Sequence, residues 1–371
     1  MSMTVFIQKY AGLLLLGSLI VHPKIVMAAE ASDTNIEHVI NTGETIIAGT
    51  LSLPQESLTD SLVIMLSGSG PQDRDETLDG FKVFHHIAKH LASQGIASFR
   101  FDDRGIGGST GNFGQSTLRD HTDDVAHILN YFSSHKEHMY KHFILLGHSQ
   151  GGIVAANVAV EREEIEKVIL MAAPSVPLID IVLYQVRQEY TQLNISKALV
   201  EKGVSAHHRL MWAIENNSNT EGALENFNTT VLSVLTASPL HQHQSKPDLK
   251  KLADAQTREF EIVYALPSLT SFLYHDPAKN IKDFNEPVLG LFGGKDLQVT
   301  IDQNKDTMEK ALLTAGVNYH FSTFEHANHY FQHAESGLRK EYPTLDKQFI
   351  DGFLNTISSW IVHNEVRQTN R

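Results

Sequence analysis

Cysteine is absent from the 371 residues, which removes disulfides, a thiol nucleophile, thiolate metal sites and a lipid anchor on a modified cysteine. Stability must then come from packing, which a chain of this length with 42% hydrophobic residues can supply. Basic residues are also scarce: 30 Lys plus Arg face 43 Asp plus Glu, a net charge of −13, with no Lys/Arg-rich run. That balance speaks against nucleic acid as a partner. Long apolar runs are missing too. The N-terminal run Tyr10 to Val21 has 12 residues, short of the roughly 20 that a membrane-spanning helix needs.

That run has another use. Lys9 precedes it, Pro23 breaks it, and Val26-Met27-Ala28 offers small residues at the spacing of a cleavage site. The pattern is that of a secretory signal peptide over residues 1–28, cleaved after Ala28, with an uncleaved N-terminal anchor as the alternative. Cleavage implies an exported protein, periplasmic or secreted, with no stable membrane insertion.

Beyond the leader, Ile36 to Asn41 and Glu44 to Leu53 flank Thr42-Gly43 and read as an antiparallel hairpin. After Pro54 the rhythm changes. Leu62 to Leu66, Ile96 to Phe101, Phe143 to Leu146, Val168 to Met171, Val288 to Phe292 and Tyr319 to Phe324 are short apolar strands. Such continuous runs suit a sheet buried on both faces. Between them Phe81 to Ser93, Leu118 to Ser133, Ile153 to Arg162 and Met308 to Ala315 carry helical spacing. The alternation predicts an α/β fold with a mostly parallel central sheet and helices on both sides. The interval from Pro174 to Phe284 breaks it with helix-like stretches at Ile181 to Val200 and His207 to Asn216. No loop of that length is expected in a compact domain, so the interval reads as an inserted helical cap. The expected organisation is a core over 29–173, a cap over 174–284 and the rest of the core over 285–371. Nothing in the chain reports its oligomeric state.

The pentapeptide Gly147-His148-Ser149-Gln150-Gly151 follows the strand Phe143 to Leu146 and precedes the small-residue helix that begins at Gly152. A strand, a sharp turn and a helix are what lift a serine hydroxyl above a sheet edge, and the glycines remove side chains that would clash there. Serine needs an imidazole to take its proton and a carboxylate to orient that imidazole, in the chain order Ser, acid, His. Asp296 ends the run Val288 to Gly293-Gly294-Lys295, at the carboxyl end of a strand. Asp302 and Asp306 fall inside the next helix and are less suitable. Past the last strand stand two imidazoles, His329 as first choice and His326 as second.

A tetrahedral oxyanion needs two backbone donors. Gln150, next to the serine, supplies one, and Ser69 in Ser67-Gly68-Ser69-Gly70-Pro71 is the candidate for the other. No phosphate-binding glycine motif occurs at a strand end, so no nucleotide cofactor is expected. His86 and His90 are spaced for zinc on a helix but lack the acidic companion of a zinc-protease motif, and His85, His86 and His90 read as helix-surface or interface residues. No metal is expected.

Taken together, Gly68-Ser69-Gly70-Pro71-Gln72-Asp73-Arg74-Asp75-Glu76, Arg100 through Ser109, Gly147 through Gly152, Asp276-Pro277, Pro287 through Val299 and Asn328 through Gln332 resemble one known family. It is that of bacterial α/β-hydrolase esterases with a GSGP-x-DRD segment, of the serine aminopeptidase S33 and dienelactone hydrolase type. The resemblance implies Ser149 as nucleophile, Asp296 as charge partner and His329 as base. It also implies that Asp103 and Arg104 form a structural turn beside the site. His326 stands where the family carries glycine, and Leu266 through Thr270 differ from the aromatic and arginine common in its cap. The function expected is hydrolysis of a small or medium carboxylic ester through an acyl-serine, with the cap supplying much of the pocket. An aminopeptidase, amidase, thioesterase or acyltransferase uses the same parts, and a non-catalytic ligand-binding protein is the alternative from another class. Glu189, Glu201 and Glu225 are the cap acids that an aminopeptidase could draw on for the substrate amine.

Overall fold

The computed structural model describes residues 34–363, so the leader lies outside the described residues. Eight strands form the main sheet: β1 Thr34–Asn41, β2 Ile46–Leu53, β3 Ser61–Leu66, β4 Ala97–Phe101, β5 His142–His148, β6 Ile165–Met171, β7 Val288–Gly293 and β8 Tyr319–Phe324. Their order across the sheet is β1-β2-β4-β3-β5-β6-β7-β8. β2 runs antiparallel to both β1 and β4, and every other pairing is parallel. Burial follows position. All six residues of β3 and of β7 are buried, whereas the edge strand β1 alternates and β8 is largely half-exposed.

The helices of this unit are α1 Val83–Ser93, α2 Leu118–Ser134, α3 Gln150–Glu161 and, beyond the insertion, α9 Pro277–Ile281, α10 Ile301–Ala315 and α11 Phe353–His363. Alternate strand residues Val63, Met65, Ile144, Leu146, Ile169, Met171, Leu289 and Leu291 share one apolar cluster with Phe84, Ile87 and Leu91 of α1 and with Phe353, Ile357 and Trp360 of α11. The period of two along the strands thus meets the helical period at this layer. Lys167 is the exception on that face: its Nζ donates to the Ile361 carbonyl and lies 5.7 Å from the Trp360 ring centre, a cation placed at the end of α11.

A second compact unit comprises Gly114–Leu118 and Val176–Asp276. It is helical: α4 Leu178–Thr191, α5 Lys197–Glu215, α6 Thr220–Ala237, α7 Lys246–Tyr264 and α8 Pro267–Leu273. The stretch Ile181 to Val200, read from sequence as one helical run, is broken between α4 and α5, where Asn194 takes φ 55° and Ser196 caps α5. Asparagine tolerates that left-handed backbone and serine prefers a helix start, so the break has a local cause. The helix expected from Phe81 begins two residues later because Phe81–Lys82 pairs with Thr77–Leu78 across Asp79-Gly80, both with positive φ. α11 is not among the helices expected from the sequence, although Phe353, Ile357, Trp360 and Ile361 stand at helical spacing and are buried. Among the described residues no helix is long and apolar enough to cross a membrane.

Candidate active site

β5 ends at His148 and α3 begins at Gln150, which leaves Ser149 as the single residue of the turn, at φ 51° and ψ −121°. For a residue with a Cβ that conformation is strained, and strain of this kind persists only where the surroundings impose it. Here they do. The Ser149 N–H donates to the Met171 carbonyl at 2.9 Å, and its own carbonyl accepts from Gly152 N–H at 2.9 Å. A Cβ on Gly151 would lie 2.2 Å from the Leu66 carbonyl oxygen, and one on Gly147 would lie 2.5 Å from the Gly151 carbonyl oxygen. Only glycine lets α3 begin this close to the sheet.

Two other strand ends bring a carboxylate and an imidazole together. Asp296 follows β7 through Gly293-Gly294-Lys295, and His329 lies in the loop after β8. The His329 Nδ1 is 2.7 Å from the Asp296 Oδ2. The other carboxylate oxygen accepts from the backbone N–H groups of Gln298 at 2.7 Å and Val299 at 3.0 Å, so the acid is held from both sides. Asn328 shapes the imidazole loop, its Oδ1 accepting from the N–H groups of Tyr330 and Gln332, and the His329 N–H faces the Tyr342 hydroxyl at 3.3 Å. Burial pushes the Tyr342 phenol well above its ordinary range, with the Asp296 carboxylate adding to it. Ser149, Asp296 and His329 are 7%, 4% and 1% exposed. His326 is exposed, its ring 5.4 Å from that of His333. Asp302 and Asp306 lie within α10.

The candidate oxyanion segment is Ser67 to Pro71, after β3. A Cβ built on Gly68 would stand 3.3 Å from the Ser149 Cβ, so this backbone runs directly beside the serine. The Gly68 N–H is engaged by Glu76 Oε1 at 2.7 Å, and the Ser69 carbonyl accepts from Gln72 Nε2 at 3.1 Å. Asp103 anchors both ends of the loop. Its Oδ2 accepts from the Gln72 N–H at 2.8 Å and its Oδ1 contacts the Ser67 hydroxyl at 3.0 Å. Burial pushes Asp103 up to about 8, against the pull of those two donors. Asp102 accepts from the Arg74 backbone and guanidinium; burial opposes its charge, but these bonds hold it below its usual value. Arg104 pairs with Asp120 and Asp124. Gln150, 5% exposed, is the first residue of α3.

His85, His86 and His90 on α1 are half-buried, and burial lowers all three; His90 Nε2 lies 3.0 Å from the Ser358 hydroxyl of α11. Among the described residues no group of three or more His, Asp or Glu is arranged to hold a metal ion. Two buried residues were not singled out by the sequence, Glu76 and His148, which lie 2.7 Å apart between the serine and the imidazole loop.

Residues 79–244 match the serine aminopeptidase S33 family and residues 270–348 the dienelactone hydrolase family. Esterase EstD of Thermotoga maritima is 25% identical over 327 residues, covering 85% of this chain, and this chain spans 65% of that protein's length. The Pyrococcus furiosus esterase Pf2001 superposes with a TM-score of 0.50 at 14% identity, covering 84% of this chain and 90% of its own. The esterase EaEST from Exiguobacterium antarcticum gives a TM-score of 0.50 at 14% identity, covering 88% and 99%. At that identity the solved structures speak to fold alone: the chain has the α/β-hydrolase fold, with a mostly parallel central sheet and flanking helices.

Proposed function

We propose that this protein is an exported serine hydrolase that cleaves small or medium carboxylic esters through an acyl-Ser149 intermediate. The observation that carries the reading is the Asp296–His329 contact of 2.7 Å on the loops after β7 and β8, in the same unit as a serine held at φ 51° after β5. Parallel strands present their carboxyl ends at one sheet edge, where this fold type builds its sites. In the first half-reaction His329 takes the Ser149 proton as the hydroxyl attacks the ester carbonyl, then returns it to the leaving alcohol. Asp296 holds the ring with a proton on Nδ1 and stabilises the imidazolium. In the second half-reaction His329 activates water against the acyl-enzyme. The N–H groups of Gln150 and Ser69 are assigned to the oxyanion. Exported status rests on the signal-peptide pattern of residues 1–28 alone.

The names of the matched relatives support an ester substrate, and the serine aminopeptidase match keeps peptide hydrolysis as a second reading. Against it, the three acids weighed for a substrate amine are poorly suited. Glu201 pairs with Arg187, burial pushes Glu189 up to about 8, and nothing distinguishes Glu225. The test is turnover of p-nitrophenyl esters of graded acyl length and of aminoacyl anilides by purified protein, with Ser149→Ala as control. A fall of about 10⁴-fold or more on esters is expected. Equal rates in the two proteins would remove the assignment, and anilide turnover above ester turnover would favour the second reading.

A further inference from the structure

The mechanism above leaves one buried polar pair without a task. Glu76 is 0% exposed and His148 is 1% exposed, and each sits where an apolar residue would be expected. Glu76 is also held at φ 47°, a left-handed backbone that a residue with a side chain adopts at a cost. Its Oε1 lies 2.7 Å from His148 Nδ1 and accepts the Gly68 N–H at 2.7 Å. On the other edge of the imidazole, His148 Nε2 lies 3.0 Å from the His329 carbonyl oxygen.

Hydrogen-bond chemistry assigns the protons. A carbonyl oxygen can only accept, so Nε2 carries a hydrogen. Oε1 already accepts from Gly68, which a carboxylate oxygen does better than an acid hydroxyl, so the proton of the 2.7 Å contact belongs on Nδ1. The ring is then an imidazolium and Glu76 a carboxylate. Burying two charges contributes little net stability, because desolvation cancels most of the attraction, and an apolar pair of the same shape usually serves as well.

What the pair touches suggests its use. Glu76 fixes Gly68, whose backbone runs beside Ser149. His148 is covalently next to Ser149 and grips His329 by its carbonyl. With Tyr342 at the His329 N–H and Asp296 at Nδ1, three partners fix that residue from three sides. We propose that Glu76 and His148 form a buried carboxylate–imidazolium pair that acts as a positioning device, locking the oxyanion segment and the base loop to the serine. The proposal deepens the esterase reading and rests on it for its kinetic consequence.

The test uses the full chain with Glu76→Gln, His148→Gln and the double variant. A misplacement of the base or oxyanion donors is expected to lower kcat on a p-nitrophenyl ester about 10- to 100-fold with KM changed less than about 3-fold. The double variant should be no worse than the poorer single one, since the two act as a unit. Independently of any substrate, histidine-selective ¹⁵N spectra of the wild type near neutral pH should contain one ring with two slowly exchanging N–H signals, absent in His148→Gln. A folded Glu76→Gln protein with kcat within about twofold of wild type would overturn the positioning role, as would additive losses in the double variant. A single slow N–H on that ring would overturn the charged pair even if the variants fail to fold. Ester turnover that survives Ser149→Ala would instead remove the parent reading, and the ring spectrum would still judge the pair.

Discussion

His148 and His207 are both fully buried, and their surroundings are opposites. His148, in the sheet unit, faces a carbonyl on one side and a carboxylate on the other. His207, on α5 of the helical unit, lies between the hydroxyls of Tyr190 at 2.9 Å and Tyr264 at 2.6 Å, with Phe227 and Phe260 edge-on at 4.7 and 4.8 Å. Tyrosyl hydroxyls can donate or accept, so a neutral ring satisfies both contacts, and burial lowers His207 to about 3. Burial is alike in the two, so the partners decide whether a charge can be held against it. In the helical unit an imidazole fills a core; beside the serine a charge is kept where it can hold backbone in place.

The contrast can be broken or sharpened by experiment. The largest effect concerns Asp296, the acid proposed to orient the base. Asp296→Asn should lower kcat about 10³- to 10⁴-fold with the fold intact, because an amide no longer enforces a proton on Nδ1; a loss below tenfold would show that Asp296 does not govern the ring. Next comes the acid response of His207. Its folded value lies below the unfolded one, so the unfolded chain takes the proton first, and stability is full above about 6.5 and lost as the pH falls toward about 3. The loss attributable to this group is about 2 kcal/mol by pH 5. Urea midpoints at pH 7 and pH 5 should therefore converge in His207→Gln relative to wild type, and parallel curves would contradict the neutral core histidine. The smallest effect separates the two candidate bases. His326→Ala should leave ester kcat/KM within about twofold, and a hundredfold drop would reopen that choice.

Much of this molecule was legible in local pattern. The strand–turn–helix around Ser149 needs glycines at fixed offsets, and each is required by a contact below 3 Å to a built Cβ. Asp296 was singled out by its place at a strand end and His329 preferred to His326, and these two side chains meet at 2.7 Å. The break at Asn194 was missed because the apolar spacing of α4 runs on into α5, and only the backbone conformation ends it. The Glu76–His148 contact joins residues 72 apart, and neither has a periodic or spacing signal. The run Asp73-Arg74-Asp75-Glu76 stands out in the sequence only as part of the resembling segment; in the structure Arg74 pairs with Asp102, Asp75 with Arg100, and Glu76 is buried.

From its sequence alone the chain determined the alternation of strands and helices, the elbow and the residues proposed here for acyl transfer, because these depend on side-chain period and on where glycine is obligatory. Only the tertiary structure decided which polar side chains meet and what charge each carries in the interior. Those properties depend on the donors and acceptors brought opposite one another from distant segments, and on how completely water is removed between them.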